Sequence, residues 1–329
     1  MTLDNEYLFS SSFLRAGEGV GTPSNRMTRM LEAASPKQLY QTVAEVFRIS
    51  VPEREEAVLD KAFCDAVDKV RSAVPDVTVF YPLLYKYDCT NIKIAIKCAV
   101  QGIRSYDGFY TCGTVPAEQM QEYLHKEVFR SLPSAMAAAA KAARQEYAKT
   151  GEARCIDLLL DRACFADMAD GAAAGGIPLM QQIVSMRADF ANISACIRIR
   201  SSGVSVQTGR TLLSRAFVPG GQIDLSTLLG EETGCRDMGQ INEKLGACYV
   251  KDAVRRAVGT SQDRIEKIFD EAILLACRPY QFKAFGPEVV IRYLLIREAE
   301  LLNGRIIAAR FTSGADREKI RERLREVNV

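Results

Sequence analysis

The sequence is poor in the residues from which catalytic and metal sites are commonly built. Among its 329 residues are one histidine and no tryptophan, and its ten cysteines form no C-x-x-C pair. The common zinc and redox spacings are therefore absent, and a Cys/His site would need cysteines from distant segments. No G-x-S-x-G nucleophile elbow occurs either. We predict no catalytic, metal-binding or cofactor-binding residues.

An excess of one charge and a long apolar run are also missing. The chain has 43 Lys and Arg against 41 Asp and Glu, a net charge of +2, which argues against a nucleic-acid partner. No stretch of about 18 apolar residues occurs, so we expect no membrane-spanning helix. Residues 1–6 are acidic and no apolar core follows them. We therefore expect no signal peptide, and a reducing cytosol in which the cysteines act as small core residues.

Two glycine-rich stretches lack the context of a phosphate-binding loop. Residues 17–21 follow no strand and precede no Gly-Lys-Ser/Thr, so we predict a loop after the first helix. Residues 171–176 contain no lysine and are predicted to connect two helices, as are Gly220 and Gly221. The single histidine, His125, lies in a helical pattern and is predicted to be a structural or surface residue.

Helical periodicity dominates what is present. Ser35 and Pro36 predict an N-cap and a first helical position, and Leu39, Val43 and Phe47 then fall on one helix face. The best β-rich run, residues 77–81, is ended by a proline and has no hairpin partner. Thr260 with Asp263 resembles a capping box at the start of a later helix. We predict an all-α fold.

An internal repeat of about 100 residues is the most informative feature. Asp60 and Asp161 lie 101 positions apart in the shared pattern apolar-Leu-Asp-basic-Ala, and Asp270 occupies a related third copy. A second element, [DE]-x-x-N followed by a glycine eleven positions after the Asn, also occurs three times. Its copies are Asp88, Asn91 and Gly102; Asp189, Asn192 and Gly203; Glu300, Asn303 and Gly314.

The spacing of the second element predicts a helix and its end. An acid and an Asn three residues apart share a helix face, and a glycine three turns later terminates the same helix. The repeated Asp and Asn side chains are predicted to form hydrogen bonds between helices, because a buried polar group needs a partner. Loops after the three glycines would converge on one rim, which makes Arg104, Arg210 and Arg317 candidate partner-binding residues.

The repeat predicts three related helical-bundle domains, 1–113, 114–221 and 222–329. Three similar units favour a pseudo-threefold arrangement. The helix after Gly314 corresponds to the helix that begins each following unit. We therefore expect it to pack beside the N-terminal unit and close a ring.

The C-terminal repeat resembles a known family. Residues 285–294 resemble the F-G-x-E-x-x-x-x-Y stretch of the C subunit of bacterial and archaeal V-type (A-type) ATPases, whose eukaryotic counterpart is the d subunit. The likeness continues through Glu298, Asn303 and Arg305 and includes the N-terminal segment from Tyr7 to Arg15, so it covers the whole chain. Two departures stand out: Ser194 replaces the basic residue found as Lys93 and Arg305 in the other copies, and residues 231–259 match no named feature.

The resemblance implies a non-catalytic coupling subunit. Family members are all-helical, with three similar domains around a funnel-shaped cavity. That socket receives the D and F subunits of the central stalk and sits on the membrane proteolipid ring, at the cytoplasmic face, to couple ATP turnover to proton or sodium transport. Two alternatives stay open from the residues alone: a free helical scaffold for another protein, and an all-helical enzyme with a site between domains.

Overall fold

A computed structural model describes residues 6–17 and 22–327, and within these ranges every regular element is helical. The prediction of an all-α fold is confirmed. The only β pairing in these ranges is an isolated bridge between Leu229 and Cys235. The helices are α1 (Leu8–Ala16), α2 (Pro23–Leu31), α3 (Pro36–Phe47), α4 (Val58–Ala73), α5 (Tyr81–Val100), α6 (Ala117–Lys126), α7 (Ser134–Thr150), α8 (Arg154–Gly175), α9 (Pro178–Ser201), α10 (Val206–Ala216), α11 (Leu225–Leu228), α12 (Met238–Lys244), α13 (Lys251–Ala257), α14 (Gln262–Ala276), α15 (Pro287–Ser313) and α16 (Arg317–Arg323). Short 3₁₀ turns occur at Glu55–Ala57, Thr78–Phe80 and Arg278–Tyr280.

Local sequence signals explain several helix boundaries. The Ser35 hydroxyl accepts a hydrogen bond from the Gln38 N–H at 3.2 Å, and Pro36 opens α3 as predicted. Residues 77–81 form no strand: a 3₁₀ turn leads directly into α5, whose second residue is Pro82. The proline suits the first helical turn because its missing N–H has no partner there in any case.

The predicted capping box at Thr260 is wrong. The helix begins one residue later than expected, after Ser261, and this N-cap forms no side-chain hydrogen bond. Asp263 instead pairs with Arg323 of α16, so a contact between two helices replaces the local cap.

The predicted loop at residues 171–176 is also wrong, because α8 continues through Gly175. A Cβ at Gly171 would lie 3.1 Å from Pro82, and one at Gly175 would lie 3.5 Å from Val79. The two glycines lie four residues apart and so share one helix face, against which the start of α5 packs. Close packing here outweighs the low helix propensity of glycine. Gly220 and Gly221 do lie in a loop, and residues 18–21 of the other predicted loop fall outside the described ranges.

The chain divides into two compact units, of which the first joins both chain ends. It comprises Met1–Val77 and Thr260–Val329. Helix α15 packs against α1, α2 and α4, and α16 packs against α14 and α15. The Arg317 guanidinium, at the start of α16, donates to the Glu32 carbonyl at 3.5 Å, while the closing of a ring by this helix stays a prediction.

The second unit, Thr78–Gly259, contains α5 to α13. Helix α8 packs against α5, α7 and α9, and α9 packs against α10. The division into three domains and their threefold arrangement stay predictions.

The cysteines serve mainly as core residues, as predicted. All ten are free, and only Cys64 and Cys248 are partly exposed. Burial, together with the neighbouring Cys235 thiol, raises the pKa of the Cys196 thiol to about 12. Such a thiol stays protonated at neutral pH and behaves as a small apolar side chain.

Candidate functional site

The three repeated asparagines are buried and form the same pair of hydrogen bonds. Asn91 on α5 donates its side-chain amide to the Tyr110 carbonyl at 2.8 Å and accepts from the Tyr110 N–H at 2.9 Å. Asn192 on α9 pairs in this way with Val218, and Asn303 on α15 pairs with Arg325. Each amide therefore satisfies both backbone groups of one residue in the segment that follows its own helix.

Asp88 and Asp189 hold the next part of the same segment. Asp88 accepts from the Thr114 and Val115 N–H groups at 3.0 and 2.9 Å and from the Thr114 hydroxyl at 2.6 Å. Asp189 accepts from the backbone of Gln222 and Ile223 at 3.1 and 2.9 Å. Burial raises the pKa of Asp189, and these two hydrogen bonds oppose the rise.

A glycine makes this close approach possible in both of these copies. A Cβ at Gly113 would collide with the Asp88 carboxylate, and a Cβ at Gly221 would collide with that of Asp189. The two glycines lie 108 residues apart, and each is followed two positions later by Val or Ile. This weak signal extends the repeat beyond the elements that the sequence analysis found.

The third acid, Glu300, has different partners. Both of its carboxylate oxygens face guanidinium groups: the Arg26 Nε lies 2.7 Å from Oε1, and the Arg297 Nη1 lies 2.8 Å from Oε2. All three side chains are at least 95% buried. Burial raises the pKa of Glu300, while the two arginines oppose that rise. The acid of the third copy thus ties α15 to α2, which comes from the opposite end of the chain.

Aromatic rings complete this buried cluster. The Arg297 guanidinium lies 4.9 Å from the Phe47 ring centroid and 5.1 Å from that of Tyr293, within cation–π range. The Arg26 guanidinium lies 5.7 Å from the same Phe47 ring. The cluster therefore joins α2, α3 and α15 through one carboxylate and one shared ring. Neither arginine has a counterpart in the repeat, so the sequence analysis missed both.

The acids of the first repeated element form ion pairs with basic residues that lie outside their own helices. Lys93 on α5 lies 2.6 Å from Asp161 on α8, and Arg305 on α15 pairs with Asp60 on α4. Both basic residues come two positions after a repeated Asn, which makes the two pairs equivalent. In the second copy that position is Ser194, and Asp270 pairs with Arg325 at 2.8 Å inside its own unit.

The three repeated glycines lie at helix ends. Gly102, Gly203 and Gly314 have φ values of 75°, 67° and 67°, in the left-handed region, and no atom lies within 4 Å of the position of a Cβ. Backbone conformation and not lack of space therefore favours glycine at these three sites.

The three candidate contact residues are exposed and each also donates to a backbone carbonyl. Arg104 donates to Leu124 at 2.7 Å, Arg210 to Gly230 at 3.2 Å, and Arg317 to Glu32 at 3.5 Å. Arg104 and Arg210 belong to the second compact unit and Arg317 to the first. A guanidinium has five N–H donors, so these bonds leave donors available to a partner.

The repeated asparagines of the described residues hold backbone segments in place. Within residues 6–17 and 22–327, no three acidic, cysteine or histidine side chains are grouped to hold a metal ion. His125 is exposed on α6. In the same ranges no helix is sufficiently long and apolar to cross a bilayer. What the repeated side chains do is fix the segment after each long helix onto that helix.

Comparison with known families decides what this repeat belongs to. The model of the ATP synthase (C/AC39) subunit family matches residues 39–323. The chain belongs to this family. The match extends from α3 to the end of α16 and includes all three copies of both repeated elements. The expectation drawn from residues 285–294 is therefore confirmed at the level of the family.

Two relatives carry names that specify the family further. The chain is 20% identical over 267 residues to the C subunit of the V-type sodium ATPase of Enterococcus hirae, covering 78% of each protein. It is 23% identical over 296 residues to the C subunit of the A-type ATP synthase of Pyrococcus horikoshii, covering 83% of this chain and 75% of the relative. The similarity in both cases runs along most of both chains.

Proposed function

We propose that this chain is the C subunit of a rotary V-type or A-type ATPase, where it acts as a non-catalytic socket. It receives the D and F subunits of the central stalk on one side and rests on the membrane proteolipid ring on the other. It lies peripherally at the cytoplasmic face and passes torque between ATP turnover and proton or sodium transport. The family match over residues 39–323 is the observation that carries this proposal.

The packing of the long helices supports a role in bearing torque. Helix α15 has 27 residues and is about 40 Å long, and it packs against α1, α2 and α4. The Arg26–Glu300–Arg297 cluster and the Asn303–Arg325 pair fix α15 to its neighbours at two buried points. A long helix held along its length resists bending better than a free one.

Symmetry bears on the contact with the ring. A socket of three related domains on a ring of another symmetry cannot repeat one contact at each protomer of the ring. The contact is then mainly electrostatic and shape-based, and therefore sensitive to salt. Arg104, Arg210 and Arg317 fit this role because all three are exposed and charged.

A tagged pull-down tests the proposal. The affinity-tagged chain is purified from detergent-solubilised membranes at low salt and analysed by mass spectrometry, with a strain that expresses the tag alone as control. We expect recovery of the D and F proteins and the proteolipid, with the proteolipid reduced by a wash in about 1 M salt, where the Debye length is about 3 Å. A soluble, solitary chain would contradict the rotary assignment and leave the free scaffold as the explanation.

A further inference from the structure

An aspartate or asparagine precedes a glycine at three places in the sequence: Asp107 and Gly108, Asp170 and Gly171, Asn303 and Gly304. This order of residues favours a reaction of the side chain with the following peptide bond, because no Cβ on the glycine shields its nitrogen. The reaction also needs a main chain that lets this nitrogen approach the side-chain carboxyl or amide carbon. The local structure therefore decides which of the three sites can react.

Two of the three sites lie inside long helices. Gly171 lies within α8, so its N–H takes part in the hydrogen bonds of the helix, and a Cβ there would lie 3.1 Å from Pro82. Gly304 lies within α15, where Asn303 is fully buried and its amide binds both backbone groups of Arg325. At both sites the helix fixes the nitrogen that would have to react.

The third site lies outside regular structure. Asp107 and Gly108 are exposed, in the segment between α5 and α6. In the part of the chain that the structure describes, neither the Asp107 carboxylate nor the Gly108 N–H has a hydrogen-bond partner. Asp170 is exposed as well, so the helix and not burial distinguishes these two aspartates. The Asp107 carboxyl carbon and the Gly108 nitrogen are therefore free to approach each other.

The residues on either side of the Asp107 site are held in place. The Tyr106 N–H donates to the Gln121 side chain at 3.4 Å, and the Tyr106 carbonyl accepts from the amide of the same side chain. Asn91 binds both backbone groups of Tyr110. A Cβ at Gly108 would lie 2.7–2.9 Å from atoms of the Tyr106 side chain, which favours glycine here. Residues 107–109 thus form a short exposed arch between two fixed points.

We propose that Asp107 is a site of spontaneous isomerisation to isoaspartate. The Gly108 nitrogen loses its proton and attacks the side-chain carboxyl carbon of Asp107. A C–N bond forms, a carboxyl oxygen leaves as water, and a succinimide ring closes. Water then adds to the main-chain carbonyl of this ring and breaks its bond to nitrogen, so the chain continues through the former side chain.

The isomerisation needs no oxidant or other co-reactant, because one water leaves and one returns. It lengthens the main chain by one carbon atom between the held residues Tyr106 and Tyr110, and it leaves a carboxylate directly on the main chain. The equivalent change at Asp170 would first require α8 to open locally. The proposal depends on these local contacts alone and is independent of the proposed function.

Ageing of the full-length chain tests the proposal. The purified chain is incubated at neutral pH, and circular dichroism checks that it stays folded. It is then digested with trypsin, and an isoaspartyl methyltransferase labels isoaspartyl carboxylates with a radioactive methyl group. Asp107 is the only aspartate in the tryptic peptide 105–126, so label in this peptide reports Asp107 alone. We expect this label to increase with time, and no label above background in the peptide that contains Asp170.

An unfolded sample and two variants separate the effect of the fold from that of the sequence. In guanidinium chloride, which removes α8, label should appear at both Asp107 and Asp170. Asp107→Glu keeps the charge but would have to close a larger ring, so peptide 105–126 should lose its label. Asp170→Glu is the matched control, because it changes the other exposed aspartate that precedes a glycine. It should leave the label at Asp107 unchanged.

Three results would overturn the proposal. The first is equal label at Asp107 and Asp170 in the folded chain. The second is label at Asp107 only after unfolding, which would show that the arch does not permit ring closure. The third is unchanged label in peptide 105–126 of Asp107→Glu, which would place the reaction at another residue.

Discussion

The three repeated asparagines form the same pair of hydrogen bonds with three different residues. Asn91, Asn192 and Asn303 each bind both backbone groups of one residue, although those residues are Tyr110, Val218 and Arg325. The backbone is the partner, so the identity of the partner residue is not constrained. The repeated spacing therefore identified the three asparagines as hydrogen-bonding residues, but the sequence did not show which residues they bind.

Replacing Asn192 by Leu should destabilise the protein. The Val218 N–H and carbonyl would stay buried without partners, at a cost of about 1–3 kcal/mol, and the same holds for Asn91 and Asn303. Urea unfolding of each variant measures this. Gln207→Leu, at an exposed position of α10, is the control and should change stability by no more than about 0.5 kcal/mol. Equal effects at both positions would contradict the assignment.

Glu300 shows where the repeat misleads at the residue scale. The sequence places it with Asp88 and Asp189, yet its longer side chain meets Arg26 and Arg297 rather than a following backbone segment. Arg26 lies 274 positions away from Glu300, and no spacing rule connects two such distant residues.

Glu300→Gln should be more damaging than a surface substitution. It leaves two buried guanidinium groups without their carboxylate, and breaking a buried pair in this way costs about 3–5 kcal/mol. Thermal or urea unfolding compared with Glu322→Gln, an exposed acid on α16, gives the difference. A loss as small as that of the surface variant would show that the cluster does not hold α15 to α2.

At the scale of helices, the sequence correctly predicted those helix ends at which the backbone conformation requires a glycine. The glycines at 102, 203 and 314 end long helices with positive φ, as the spacing predicted. The same reasoning was wrong for Gly171 and Gly175. These two glycines lie inside α8, where the lack of a side chain allows close contact with Pro82 and Val79. The sequence does not distinguish a glycine required for a helix end from one required for close packing.

Gly314→Ala should cost about 1 kcal/mol, because the left-handed conformation that glycine adopts freely is strained for alanine. Gly246→Ala is the control: no atom lies within 4 Å of its Cβ position and its φ is outside that region. The control should be neutral or slightly stabilising. Chemical unfolding of both variants checks the sign, and a stabilised Gly314→Ala would contradict the helix-end assignment.

At the scale of the whole molecule, the sequence predicted the all-α fold and the family, since both depend on periodic and repeated features. Specific contacts within each unit depend on side chains that no repeat relates, such as Arg26 with Glu300. Ser194 is one such difference between the copies. The equivalent Lys93 and Arg305 form ion pairs with Asp161 and Asp60, and the uncharged Ser194 cannot form a corresponding pair.

Charge reversal at Arg104, Arg210 or Arg317 to Glu should weaken assembly and leave the fold intact. Each arginine is exposed, so its loss changes the surface charge more than the core. The measurement is recovery of the proteolipid with the tagged chain, alongside the thermal midpoint. Arg255→Glu, whose side chain is 70% exposed on α13, serves as the control. Lost thermal stability with normal assembly would count against a contact role.

The coupling role itself is tested most directly in membrane vesicles from cells that lack this chain. We expect ATP hydrolysis by the catalytic head to persist while ATP-driven ion uptake is lost, because the torque no longer reaches the ring. Adding back the purified chain should restore ion uptake. Ion uptake that continues without the chain, at the rate of unmodified vesicles, would contradict the coupling role.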